Sequence, residues 1–399
     1  MNYLIAFDKF KGALPAPEAC AIARDTIAGT DPSAELETAP LTDGGEGFAT
    51  ILAEVLGGEL KTVRVPGPRF DPVQGKFALV EAKALPRHAL ERLNLHAHAA
   101  SGRIAFVEMA SASGYECLGE EERDPWMTST YGTGVLLKAA AMAGAKAIVL
   151  GIGGSATNDC GAGALEALGV CWYDRELQAV TRLVPERFKR VNSAGSTSHL
   201  LNAFPAVRIA CDVTNPLLGE NGATRVYGPQ KGLKKEDTER MERTLRKMAM
   251  RLLGLFGRNP AEWERCMAEP GSGAAGGIGF ALRHALPDAA FVEGFPLVAD
   301  LLDLPARVAR ADAILTGEGR VDPGSLSGKG PVALLRMTDV PKQVFLFAGS
   351  IKEATADQLK AAHANLHLAI ISDPDWPIEK ALKETRNSLE SAIRKSLST

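Results

Sequence analysis

The chain predicts an α/β protein built on parallel sheets, and three observations carry that expectation. Short apolar runs of strand length alternate with segments of helical spacing at both ends of the chain. Almost every such run stops in a loop of glycines and polar residues. The middle adds strands of a different kind, because residues 61–65 alternate, turn through Pro66-Gly67-Pro68 and return over 76–80 as an antiparallel pair would.

In chain order, residues 3–7 read as a short buried strand. Residues 16–28 space Ala19, Ile22, Ala23 and Ile27 as a helix does, with Pro15 and Pro17 at its mouth. Residues 34–40 form a second strand, followed by Thr42-Asp43-Gly44-Gly45-Glu46-Gly47 and a helix over 48–56. Further apolar strands fall at 103–107, 146–151 and 207–211. The stretch 233–256 carries one charged face and one apolar face (Met241, Leu245, Met248, Leu252, Leu253), the pattern of an amphipathic surface helix. The last quarter repeats the opening rhythm, with strands near 313–315, 344–347 and 366–371 and helices near 331–338, 354–363 and 377–397. Residues 83–101, with His88, His96 and His98, read as a surface excursion rather than a metal site. The expected division is a Rossmann-like parallel-sheet domain from both chain ends, 1–65 plus 291–399. A second α/β domain, 66–290, is inserted into it, with an interdomain cleft.

Composition narrows the class. The 399 residues carry 45 Lys and Arg against 48 Asp and Glu. With no basic cluster, nothing marks a nucleic-acid partner. The six cysteines form no Cys-x-x-Cys pair, which argues against a disulfide framework or a zinc site. The apolar start meets Asp8, Lys9 and Lys11 too soon for a signal peptide, and no stretch is long enough to span a bilayer. The expectation is a cytoplasmic enzyme acting on a small molecule.

Ligands of parallel sheets bind beyond the carboxyl ends of the strands, so the strand-end loops are the functional candidates. Residues 151–163 read as strand end, glycine turn (Gly153, Gly154, Ser155) and helix N-terminus, with Thr157 and Asn158 following. Glycine backbone and helix amides together suit a phosphate. Asp43 and Glu46 flank Gly44-Gly45, either as Mg²⁺ ligands or a hydroxyl-orienting pair, or as an acidic turn before a helix. Asp8, Lys9, Lys11 and Gly12 follow the first strand; Lys11 could neutralise an anion, whereas Lys9 is better read as a solvated loop residue. Glu108, Ser111 and Ser113 follow 103–107, and Glu318, Arg320 and Asp322 follow 313–315. Asp212 after 207–211 reads equally as a proton acceptor, a metal ligand or a cap. Lys231 reads as a site or a surface lysine, and Gly271–Gly279 as an anion cradle or close helix packing. Gly271–Gly279 is no dinucleotide fingerprint, because no strand clearly precedes it and no acid stands at the required distance, and neither a Walker A motif nor a nucleophile elbow is present.

Nine of these segments, in order over residues 1–350, resemble the motifs of the type-1 glycerate kinase family. They include Asp8-Lys9-Phe10-Lys11-Gly12, Leu41 through Gly47, Glu108 through Gly114, Thr130-Tyr131-Gly132-Thr133-Gly134, Gly151 through Gly163, Ala210 through Pro216 and Thr316 through Asp322. The resemblance implies ATP- and Mg²⁺-dependent phosphorylation of D-glycerate, with 2-phosphoglycerate favoured over the 3-phosphate, by a monomer or homodimer. It places these motif positions at the cleft, and on that basis the expected phosphate contacts are Gly153, Gly154, Ser155, Thr157, Asn158 and Lys231 or Lys329, and the expected Mg²⁺ contacts Asp43, Glu46 or Asp212. Asp8, Lys11, Ser111, Glu318 and Arg320 would then meet glycerate, with Asp212, Asp43 and Lys11 as catalytic groups. Two departures stand out: Lys9 replaces the family's usual Ser, adding positive charge, and Ser327 replaces a frequent His before Gly328-Lys329. Both bear on the choice of small hydroxy acid. A nicotinamide-dependent dehydrogenase and a non-catalytic anion-binding protein are the rival classes.

Overall fold

The structure, a computed structural model, describes residues 1–95, 101–196, 201–322, 325–327, 330–338 and 342–397. His96, His98 and Lys329, and the side chain of Ser327, lie outside the described residues. The chain divides into two units, Met1–Asp43 with Val298–Thr399, and Gly44–Leu297.

In the first unit five strands form one wholly parallel sheet, ordered β13-β12-β11-β1-β2. They are β1 (Asn2–Phe7), β2 (Glu35–Thr38), β11 (Ala313–Val321), β12 (Gln343–Ile351) and β13 (Leu366–Ile370). The central strands are buried on both faces: Leu4, Ile5, Ala6, Phe7, Ile314, Leu315 and Phe347 have no exposed surface. That is why they read in sequence as unbroken apolar runs rather than alternating ones. Helices Ala16–Thr30 and Ile378–Leu397 pack together beside the sheet, and their buried residues Ile27, Leu389 and Ile393 join Phe7 and Phe347 in one core.

The second unit holds a six-stranded sheet ordered β10-β9-β6-β5-β4-β3: β3 (Glu59–Pro66), β4 (Pro72–Glu81), β5 (Arg103–Glu108), β6 (Ala145–Gly151), β9 (Ala206–Ala210) and β10 (Ala289–Val292). β4 runs antiparallel to β3 and β5, and the remaining pairs are parallel. A separate hairpin, β7 (Val170–Tyr173) with β8 (Ser193–Ser196), has no counterpart in the sequence reading. The helix Thr238–Leu255 buries Met241, Leu245, Met248, Leu252 and Leu253, the stripe its spacing predicts.

The α/β expectation holds, with one parallel sheet drawn from both chain ends and a second sheet from the middle. The units meet at Asp43/Gly44 and Leu297/Val298, where the sequence reading had changed domain at 65/66 and 290/291. β3 pairs along its whole length with β4, from Glu59–Leu79 to Pro66–Pro72, so residues 59–65 belong to the six-stranded sheet.

Candidate active-site groups

In the first unit, neighbouring strands β1 and β11 align Phe7 with Gly317, and the Asp8 amide donates to the Gly317 carbonyl at 2.9 Å. Asp8 and Glu318 therefore follow the same rung. One Asp8 carboxylate oxygen accepts the Lys9 amide at 2.7 Å. Burial pushes the Asp8 carboxyl up to about 6, against the pull of Lys9 and with a push from Asp43. Burial raises Glu318 further, to about 8; the Ser325 hydroxyl opposes the rise, while Asp8, Asp322 and Asp43 add to it. Glu318 Oε1 is buried with no hydrogen-bond partner. Lys9 departs from the solvated reading: its ammonium is 3.3 Å from Asp43 Oδ1 and its side chain is only 18% exposed. The acid pair and its neighbours draw the lysine inward. Arg320 Nε stands 3.6 Å from Asp322 Oδ2, and both side chains, like Lys11, reach solvent.

In the second unit the glycine turn differs from the expected helix mouth. The helix after β6 begins at Ala162, seven residues beyond Ser155, and its N-terminal amides are already taken. Fully buried Asp159 accepts the Gly161 and Gly163 amides at 3.1 and 3.2 Å, and the Thr130 amide and hydroxyl at 2.8 Å each. Burial raises the Asp159 carboxyl, and these four donors hold it back. The sequence reading passed over Asp159, although an aspartate two residues before a glycine-opened helix is an N-terminal capping signal.

Lys231 lies on the short turn Pro229–Lys231 and is 3% exposed. Its ammonium donates to Ser155 Oγ at 2.9 Å and to the Thr157 carbonyl at 2.7 Å. Burial lowers it to about 7, against the attraction of Asp159. Beside it, Thr157 Oγ1 and Asn158 Oδ1 are buried without partners, while Asn158 Nδ2 donates to Thr224 Oγ1 at 3.2 Å. Ser155, Thr157, Asn158 and Lys231 are thus one constellation, as the sequence reading grouped them. The glycines serve close backbone approach. The Gly153 amide donates to the Gly44 carbonyl at 3.1 Å, and a Cβ at Gly153 would stand 2.8 Å from Gly45 Cα. A Cβ at Gly276 would stand 2.2 Å from the Thr157 carbonyl oxygen, and the Cys160 amide donates to the Gly276 carbonyl at 2.8 Å. The segment Gly271–Gly279 therefore braces the Lys231 seat by packing.

Other candidates are committed to local structure. Both Asp212 oxygens accept the Phe295 amide, at 2.9 and 3.0 Å, so its carboxylate caps the helix Gly294–Leu301. The Ser111 hydroxyl donates to the Glu108 carbonyl at 2.7 Å and accepts the Lys76 amide at 2.9 Å, which fixes the loop. Glu108, 3% exposed, accepts the Ala49 amide at 3.1 Å in the first turn of helix Phe48–Val55. Glu46 is exposed. Among the described residues no three His, Cys, Asp or Glu side chains converge as a metal cage, and no helix is long and apolar enough to cross a membrane.

Parallel strand ends carrying a half-buried acid pair, and a buried amine seated on a glycine loop, mark an α/β enzyme that handles a charged small molecule. The family is shown by comparison. A family model described as the glycerate kinase family matches residues 3–399. Glycerate kinase of Halalkalibacterium halodurans is 33% identical over 98% of this chain and 96% of its own. Glycerate 2-kinase of Escherichia coli is 32% identical, over 88% and 86%. A crystal structure from Salmonella typhimurium LT2, provisionally described as glycerate kinase 2, superposes with TM-score 0.73 at 32% identity, covering 100% of this chain and 97% of that one. The chain belongs to the glycerate kinase family, and it is a kinase.

Proposed function

We propose that this chain phosphorylates D-glycerate with ATP and Mg²⁺, and that 2-phosphoglycerate is the product. The observation that carries the reading is the Lys231 seat, in a chain whose relatives are named glycerate kinases. A buried ammonium held near neutrality, flanked by the unsatisfied Thr157 hydroxyl and Asn158 amide oxygen, suits a ligand that brings negative charge and hydrogen-bonding oxygens. Gly154, Ser155, Thr157, Asn158 and Lys231 are therefore assigned to the nucleotide phosphates, while Gly153, whose amide is held by Gly44, shapes the turn. Backbone and side chains of the turn do this work, and the helix N-terminus that Asp159 occupies does not.

On the other unit, Asp8 is ionised above about pH 6 and is the assigned acceptor of the glycerate hydroxyl proton. Glu318 keeps its proton up to about pH 8, so at neutral pH it donates an O–H instead of repelling an anionic substrate. Lys11 and Arg320 are assigned to the glycerate carboxylate, and Asp43, Glu46 and Asp212 remain the carboxylates offered for Mg²⁺. Such an ion needs only one or two carboxylates beside phosphate and water, and it supplies charge neutralisation on the phosphates. Transfer then asks these residues for positioning and electrostatics, with no covalent nucleophile. The six free cysteines support a reducing, cytoplasmic setting. The Lys9–Asp43 ion pair favours a second reading, a related small hydroxy acid as acceptor. A coupled ADP-release assay over glycerate, glycolate and lactate, with and without Mg²⁺, tests both. Release with glycerate that requires Mg²⁺ is expected; release only with another acid selects the second reading, and release with none sinks both.

A further inference from the structure

A cavity of about 410 Å³ opens in the six-stranded unit beside the turn after helix Thr238–Leu255, the helix Trp263–Ala268 and the last turn of helix Ile278–Ala285. None of the residues assigned to the reaction lines it. Its charged and polar lining includes Arg258, Arg265, Arg283, Glu262, Glu269 and His284. Two guanidinium groups are spoken for, Arg283 by Glu269 at 2.9 Å and Arg265 by Glu262 at 2.7 Å. Arg258 makes no ion pair among the described residues, and its side chain belongs to an exposed residue.

His284 is the second observation. It is 8% exposed, its ring packs edge-on against Phe280 at 4.8 Å between centroids, and neither ring nitrogen has a hydrogen-bond partner. Buried polar groups are ordinarily satisfied, so an imidazole with two vacant nitrogens at a cavity wall marks a missing partner. Burial, with Arg258 and Arg283 adding to it, lowers His284 to about 4. At neutral pH the ring is therefore uncharged, with one N–H to donate.

We infer that this cavity binds a small oxyanion, a phosphate ester or a carboxylate, received by the Arg258 guanidinium beside the unpartnered His284 ring. The guanidinium fork matches both headgroups. The two lining carboxylates are already neutralised by their arginines, so the field left at the cavity is that of Arg258. The volume lies in the range of ordinary small-molecule sites.

The test uses the full chain labelled with ¹⁵N-histidine, titrated with inorganic phosphate and, separately, with acetate. His284→Phe and His284→Gln each identify the His284 resonances among the seven histidines. The expected result is a saturable shift of those resonances, weakened about tenfold or more in Arg258→Ala, an exposed site whose loss leaves the fold intact. The anion that saturates at the lower concentration identifies the headgroup. No His284 shift with either anion, or saturation unchanged in Arg258→Ala, overturns the inference.

Discussion

Replacing Lys231 with Met separates the chemistry of the Lys231 seat from its contribution to stability. The ammonium is fully buried and lowered from 10.5 to about 7. At about 1.36 kcal/mol per pH unit, folding charges the protein with a cost of about 5 kcal/mol for this group at and below neutral pH. The sign follows from proton binding. Between pH 7 and 10.5 the unfolded chain holds the proton and the native chain does not, so stability rises with pH across that window and the cost vanishes above it. Met fills a similar volume without charge, but it leaves Ser155 Oγ and the Thr157 carbonyl without their donor, a loss of about 1–3 kcal/mol each. The two losses together, about 2–6 kcal/mol, roughly offset the relieved charge cost, so Lys231→Met should unfold at pH 7 within a few kcal/mol of the native protein. Relative to the native protein it should lose ground as the pH is raised toward 10. In the ADP-release assay the same variant should lose on the order of 10²–10³-fold in turnover, the magnitude of one preorganised electrostatic donor. A variant that is clearly less stable at pH 7, with an unchanged pH dependence, would refute the buried-charge argument. Full turnover would remove Lys231 from the reaction.

Further outcomes follow from the same geometry. Asp212→Asn should melt with the native protein, because Asn caps a helix as well as Asp does, and any fall in turnover of about 10²-fold or more would then report chemistry; near-normal turnover assigns Asp212 to capping alone. Asp159→Asn should destabilise by roughly 2–4 kcal/mol in denaturant unfolding, since an amide cannot accept all four donors that now converge on the carboxylate. The pH profile of kcat/KM should be bell-shaped. It should rise through about pH 6 as Asp8 loses its proton and fall between about 7 and 8 as Lys231 discharges and Glu318 ionises. A flat profile from pH 5 to 9 contradicts those assignments.

The core of the fold was legible because parallel strands buried on both faces leave unbroken apolar runs, as over Leu4–Phe7 and residues 147–150. The β7/β8 hairpin was not, because Ser193–Ser196 carries no apolar alternation. At the strand ends, the residues with potential chemistry could be collected from sequence, and Ser155, Thr157, Asn158 and Lys231 do assemble. Their division of labour could not. Asp159, Asp212 and Glu108 place carboxylates on backbone amides at the starts of helices, and a capping carboxylate and a catalytic one are the same letter in the same kind of loop. Likewise the glycines at 153 and 276 look like an anion cradle in sequence, and geometry shows backbone packed on backbone.

A proton-coupled ³¹P spectrum of the full chain incubated with D-glycerate, ATP and Mg²⁺ tests the account most directly. The account predicts loss of the ATP γ-phosphate signal, growth of ADP, and a new ester resonance split into a doublet by the single hydrogen on C2. A triplet, from the two hydrogens on C3, would contradict the proposed product, and an unchanged ATP spectrum would contradict the proposed reaction.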